Sequence, residues 1–236
     1  MKSTIYSDSF YKDRDKETIY SAQIVFKLLK EFNIKFKSVI DFGCGVGVFL
    51  NEAQKSGATE IIGVEGPWVP KEYLLINQKY FFEEKNLVKF QCKKKYDLAI
   101  CLEVIEHLDS ENADKMISLL ISASDVILFS AAIPNQGGLG HVNEQWLTYW
   151  NTKFNENGFE CIDIIRPEIW SDIKIPFWYR QNMVLFMRNE KVKSSEIKKF
   201  NFDSFNAFDM VHPDLYNQKL NHKSFLKKIF SNLKKN

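Results

Sequence analysis

The sequence predicts an α/β domain built on a mostly parallel, seven-stranded sheet with helices on both faces. Three observations carry this expectation. Short apolar runs of strand length alternate with helix-period stretches. Those runs are apolar at nearly every position, as strands covered on both faces must be. The first of them ends in a glycine-rich turn that opens a helix.

Residues 16–33, KETIYSAQIVFKLLKEFN, place Ile19, Ala22, Val25, Leu28, Leu29 and Phe32 at helical spacing and predict an amphipathic helix ahead of the sheet. Strands are expected at SVIDFG (38–43), EIIGVEG (60–66), KYFFEE (79–84), YDLAICL (96–102), DVILFSAA (125–132), ECIDIIR (160–166) and NMVLFMRN (182–189). The last two should pair as an antiparallel edge. The stretches VFLNEAQKSG and SENADKMISLLISA supply helices between strands. After the fifth strand, Pro134 and the glycines of GGLGHVNEQWLTYW (137–150) bend a loop. Asn143 or Glu144 should then start a helix in which Trp146, Tyr149 and Trp150 form an aromatic patch.

At 236 residues one core is expected: a domain over 1–190, whose first 35 residues are a lid and helix, then a basic extension over 191–236. In the extension, Phe225, Leu226, Ile229, Phe230 and Leu233 recur at helical spacing among lysines. That pattern fits a helix docked on the domain, or a basic amphipathic helix making weak contact with an anionic membrane surface or a partner. Net charge is +2, from 32 basic and 30 acidic residues, too balanced for nucleic acid to be expected on electrostatics alone. The four cysteines form no CxxC pair, which points to buried thiols in a reducing compartment. With no leader-like apolar stretch and no membrane-length apolar run, the expected location is the cytoplasm.

The first strand ends in DFGCGVGVF. Gly43, Gly45 and Gly47 permit a tight bend and close backbone approach to a ligand, and the helix start supplies unpaired N–H groups. Roughly twenty residues on, Glu65 ends the second strand, where a carboxylate can accept from both hydroxyls of a ribose. A nucleoside cofactor follows. Val48 stands where a dinucleotide fingerprint needs its third glycine, and no Walker lysine is present.

VIDFGCGVGVFL resembles motif I of the class I S-adenosylmethionine (SAM)-dependent methyltransferases, with Glu65 as the motif II acid. EKNL (84–87) is similar to the stretch bordering the adenine, with Asn86 where Asp is common, and YDLAICLEVIEHL (96–108) to motif IV and its sequel. The resemblance implies a Rossmann-like class I methyltransferase fold over roughly residues 10–190 and SAM as cofactor. The residues assigned to the cofactor are Asp41, Gly43, Gly45, Gly47, Glu65, Asn86, Leu87 and Leu102.

Glu103, Glu106 and His107 would share one side of a helical turn, and the small-RNA methyltransferases that this segment resembles use such a cluster for metal. Similar segments occur in family members that need no metal, and a sulfonium already carries its leaving group, so metal independence is the reading adopted. Glu103, Glu106, His107 and His141 form the alternative ligand set.

The run PNQGGLGHVNEQWLTYW, with RPEIWSD (166–172) and WYRQN (178–182), resembles small stand-alone bacterial methyltransferases associated with surface-polysaccharide biosynthesis. The implied acceptor is a sugar hydroxyl or a small phosphorylated precursor such as a nucleotide sugar, without nucleic acid. Methylating a hydroxyl requires a base, and His141, entering the cleft after the fifth strand, is the candidate, with Glu103 as second catalytic residue. The alternative for His141 is a loop-ordering role. Acceptor contacts are expected from Tyr11 (with Tyr6, in a lid), Glu106, Asn143, Trp146 and Arg180; Arg180 could bind a phosphate or serve a structural ion pair. Trp150, Trp170 and Trp178 offer further stacking faces. Competing functions are nitrogen methylation, metal-dependent RNA methylation and a non-enzymatic SAM-binding module.

Overall fold

The computed structural model describes residues 8–194, 197 and 209–221, with side chains from residue 16. Its sheet has seven strands: β1 (Ser38–Phe42), β2 (Glu60–Glu65), β3 (Phe81–Glu83), β4 (Leu98–Leu102), β5 (Val126–Ser130), β6 (Phe159–Ile162) and β7 (Val184–Arg188). Their order is β3-β2-β1-β4-β5-β7-β6, which is the expected mostly parallel sheet. β7 lies between β5 and β6 and runs antiparallel to both, so the outermost strand, β6, again points with the parallel set.

Alternate residues of each central strand feed opposite layers. Val39, Leu98, Ile100 and Leu128 pack under α1 (Asp8–Glu31) and α2 (Val48–Lys55), against Val25, Phe26, Leu29 and Leu50. Ile40, Ala99, Ile127, Phe129 and Phe186 pack under α3 (Ala113–Ala123) and α4 (Leu147–Glu156), where Phe154 stacks on Phe186 with ring centroids 3.9 Å apart. Burying each such phenyl ring contributes about 1.5–3 kcal/mol. The cysteines are all free, with Cys44 and Cys101 buried. Among the described residues no helix is long and apolar enough to cross a membrane.

Several elements differ from expectation. The helix expected from residue 16 begins at Asp8, so most of the expected lid is backbone of α1; Tyr6 and the side chain of Tyr11 lie outside the described residues. KYFFEE opens with a 3-10 turn, Gln78–Tyr80, and only Phe81–Glu83 pairs with β2. ECIDIIR leaves the sheet after Ile162: Arg166 pairs in a forked contact with Asp163 (2.9 and 2.6 Å) and starts α5 (Arg166–Ile169), whose first turn accommodates Pro167.

Neither Asn143 nor Glu144 starts a helix. The Val142 and Asn143 amides both donate to the Glu106 carbonyl (2.9 and 3.0 Å) and the Gln145 amide to Ala132 (3.1 Å), which holds this stretch extended until Leu147. The cap of α4 comes from far away in sequence: Asp209 accepts from the Thr148 amide at 2.9 Å and its hydroxyl at 2.7 Å. Two short helices, α6 (Phe177–Asn182) and α7 (Asn189–Ser194), flank β7, and residues 209–221 pack on the domain, ending in a helix, α8 (213–221). The apolar recurrence over 225–233 lies outside the described residues.

Candidate active site

A large cleft, about 670 Å³, opens at the carboxyl ends of β1, β2 and β4, where the strand order switches direction. Of the residues singled out in the sequence, Asp41, Gly43, Gly45, Glu65, Leu102, Glu103 and His141 line it, whereas Gly47 does not. Gly43 (φ 79°), Gly45 (φ 52°) and Gly47 (φ 85°) turn the chain out of β1 in the left-handed region that side chains resist. At Gly43 a Cβ would stand 2.3 Å from a Val104 methyl, so the loop passes that wall only as bare backbone.

Glu65 accepts from the Gly45 amide through Oε2 (3.0 Å) and from the Gly66 amide through Oε1 (2.7 Å). With the Trp68 indole N–H as a third donor, the carboxylate still keeps acceptor capacity for a ribose hydroxyl. Burial raises the Glu65 carboxyl, and those amides with the Trp68 indole N–H pull it partly back. Asp41 is pushed well above the usual carboxylate range by burial and then by the charge of Glu65. A buried and a half-buried acid at one end of a cleft suit a ligand offering ribose hydroxyls and a positive charge, and glycines leave room for it. Trp68, from the loop after β2, and Thr18, from α1, complete this end. Neither carried a motif in the sequence. Asn86 and Leu87 are not brought here: the Asn86 amide turns back to Glu84 (2.9 Å) and Leu87 packs into the core beside Phe90.

At the other end, His141 Nδ1 lies 3.0 Å from Glu144 Oε1, which also accepts from the Gly137 amide (2.6 Å). A carboxylate on Nδ1 sets that nitrogen as the donor and leaves the Nε2 lone pair as acceptor. The ring sits over Gly138, where a Cβ would meet Nε2 at 2.2 Å, and edge-on to His107, centroids 4.8 Å apart. Glu144 was expected only as a helix start. Its spacing of three from His141 was the available signal.

Glu103 follows β4 with φ 53°, a strained conformation for a residue with a side chain. Its amide meets the Ser130 carbonyl and hydroxyl (both 3.1 Å), and its carboxylate accepts from Gln136 Nε2 (3.1 Å) and Asn182 Nδ2 (3.1 Å). Burial raises its carboxyl, and the bonds from Asn182, Ser130 and Gln136 oppose the rise. Gln181 Nε2 donates to Gln136 Oε1 (3.0 Å), while Gln181 Oε1 accepts from the His212 amide (2.8 Å). WYRQN is therefore wiring from the cleft to the C-terminal segment.

Four expected acceptor contacts fall elsewhere. Arg180 is buried, with Nε on the Ile175 carbonyl (2.8 Å), Nη1 on that of Trp170 (3.2 Å) and Nη2 on Asp214; it is the structural cation, not an anion receptor open to the cleft. Asn143 is buried and accepts from Gln145, and Trp146 lies at the surface ahead of α4. Trp150 is core, edge-on to Phe129, and Trp170 packs on His212; Trp178 does line the cleft, with Phe177 and Tyr179. Glu106 is fully buried, and burial plus the charge of Glu103 hold its carboxyl well above the usual range. The segment after Glu103 forms a 3-10 turn, Ile105–His107, rather than a regular helix, and Glu103, though it interacts with the Glu106 carboxyl, is not among the ligand-type atoms gathered around His107. Glu106, His107 and His141 do offer ligand-type atoms within 4.8 Å of one another, a set that could hold a divalent cation.

With this geometry in place, comparison with known proteins decides the family. Residues 18–168 match the model of the methyltransferase domain. The chain belongs to the methyltransferase-domain family. It is 32% identical over 123 residues to magnesium-protoporphyrin O-methyltransferase of Synechocystis sp., covering 49% of this chain and 53% of that one. It is 25% identical over 158 residues to ribosomal protein L11 methyltransferase of Fusobacterium nucleatum, covering 64% and 47%. The chain thus spans about half the length of these relatives. The crystal structure of magnesium protoporphyrin IX methyltransferase from Synechocystis PCC 6803 with bound SAM superposes with a TM-score of 0.55 at 23% identity, over 78% of this chain and 88% of that one, and shows the shared Rossmann-like fold.

Proposed function

We propose that this methyltransferase-family protein transfers a methyl group from SAM to an oxygen of a sugar hydroxyl or small phosphorylated precursor in bacterial surface-glycan synthesis. The observation that carries the transfer reading is the joining, in one cleft, of the glycine loop and Glu65 at one end with a carboxylate-oriented histidine at the other. The acceptor class rests on the resemblance of the 134–150 and 166–182 segments.

The Gly43–Val46 backbone, Glu65, Asp41, Leu102 and Trp68 would hold SAM, which supplies an electrophilic methyl on a sulfonium when bound. His141 Nε2 takes the proton of the acceptor hydroxyl as the new bond to oxygen forms. Glu144 keeps the imidazole in the right tautomer and stabilises the imidazolium that results. Glu103, held by Gln136 and Asn182, fixes the middle of the cleft. Among the described residues, the catalytic and acceptor-side unit takes in 8–190 together with 209–221. The experiment is incubation of the full chain with labelled SAM and a panel of nucleotide sugars and sugar phosphates: label in an alkali-stable ether supports oxygen transfer, and label in an amine or in RNA overturns it.

A second reading rests on the Glu106–His107–His141 set, which favours divalent-cation-dependent transfer. In that case EDTA abolishes turnover; with His141 acting as the base, turnover is unaffected.

A further inference from the structure

The C-terminal segment does more than cover the domain. Asp209 caps α4, and the His212 amide donates to Gln181. His212 Nδ1 accepts from the Asp214 amide (3.1 Å), and its Nε2 lies 3.0 Å from both the Trp170 carbonyl and Arg180 Nη1. Arg180 pairs with Asp214 at the first turn of α8. These ties aim the other end of α8 at the cleft, where Gln218 and Lys219 enter its wall beside Gly137, Gly138, Leu139 and His141.

Lys219 is the only lysine or arginine among the described residues lining the cleft. It makes no ion pair with any described carboxylate, in contrast to Arg180, whose charge is consumed inside the protein. Its Nζ hangs over Gly137, where a Cβ would come within 3.2 Å, and Gly137 has φ 74°, so the loop there is bare backbone beneath the ammonium. The lining acids, Asp41, Glu65 and Glu103, lie toward the strand ends.

We propose that Lys219, presented by the Arg180-anchored C-terminal segment, is the acceptor-binding cation of this site and selects methyl acceptors that carry a phosphate or carboxylate group. A half-buried ammonium with no carboxylate partner among the described residues is available to a ligand, and the walls of the cleft reduce the screening that water would impose. The inference rests on the methyl-transfer reading for the identity of the ligand as an acceptor. It corrects the sequence expectation by moving anion recognition from Arg180 to Lys219.

The test uses the full chain saturated with S-adenosylhomocysteine, whose own binding by calorimetry reports separately on the methyl-transfer reading. Glucose 1-phosphate, glucuronate and glucose are then titrated into wild type, Lys219→Arg and Lys219→Glu. One or both anionic probes should bind more tightly than glucose. Lys219→Glu should weaken that binding roughly tenfold or more, while Lys219→Arg stays within about threefold. Preference for glucose 1-phosphate or for glucuronate tells phosphate from carboxylate recognition. Unchanged homocysteine-nucleoside affinity in Lys219→Glu shows the fold and cofactor end intact. Anionic probes that bind no better than glucose, or equal affinity in wild type and Lys219→Glu, would overturn the proposal.

Discussion

The two ends of the cleft are built by different means. The cofactor end is local: β1, its glycine turn and the end of β2 lie within a stretch of 28 residues, Ser38 to Glu65, and nearly every group there is backbone or a strand-terminal acid. The acceptor end is assembled from four separate segments, around Glu103, 133–144, 175–182 and 209–219, joined by side-chain hydrogen bonds between Glu103, Gln136, Gln181, Asn182 and His212. A site made of backbone tolerates change at its side chains and fails when a glycine gains a Cβ. A site made of a side-chain network should fail at any of its members, and from a distance.

The sharpest separation comes from His141→Ala. Turnover should drop roughly 10²- to 10⁴-fold, the usual contribution of a positioned base, with cofactor affinity unchanged by calorimetry. Equal losses in both would place His141 in cofactor binding and merge the two ends.

Arg180→Met comes next. It leaves the Ile175 and Trp170 carbonyls and Asp214 without their cation, which should cost about 3 kcal/mol in denaturant unfolding and weaken acceptor binding through α8. Gly43→Ala acts at the opposite end. The positive φ and the Val104 contact impose about 1–3 kcal/mol of strain, read as a roughly 10- to 100-fold weaker cofactor with His141 still in place.

Asp41 offers a pH test of the cofactor end alone. Because burial and Glu65 raise its carboxyl in the folded protein, the folded state holds that proton more tightly than the unfolded chain, whose value is about 3.9. The resulting stability is present below that value and is lost as pH rises toward the folded value. Asp41→Asn should therefore be more stable than wild type at pH 7, with the difference vanishing below about pH 4, and should bind the cofactor less well. A difference that grows on acidification would mean Asp41 is ionised in the folded state. The smallest effect belongs to Asp209→Ala, which removes a cap from α4 and should cost about 1 kcal/mol of unfolding free energy.

The same contrast explains what the sequence could reveal. β1, the glycine turn and Glu65 were legible because their chemistry depends on spacing within one βα unit, and the alternation of apolar runs with helix periods set the sheet. Asn86 was misplaced because a short strand followed by a 3-10 turn has no period to fix its register. His141 was legible as a residue type in a loop after β5, but its partner Glu144 and the left-handed Glu103 depend on how loops close. For Arg180 the sequence leaves a ligand contact and a structural ion pair equally open, because an arginine beside aromatic residues looks the same whether it faces a ligand or, as here, two carbonyls and Asp214. The role of 209–221 was hidden because Asp209, His212 and Lys219 act across gaps of dozens of residues, in a stretch with little periodicity.

The measurement that tests the central claim most directly is a calorimetric titration of SAM into the full chain, repeated with His141→Ala and Gly43→Ala. The account predicts one site per chain with a dissociation constant on the order of micromolar, retained in His141→Ala and weakened in Gly43→Ala. No saturable binding to the wild-type chain, or binding indifferent to Gly43→Ala, would contradict it.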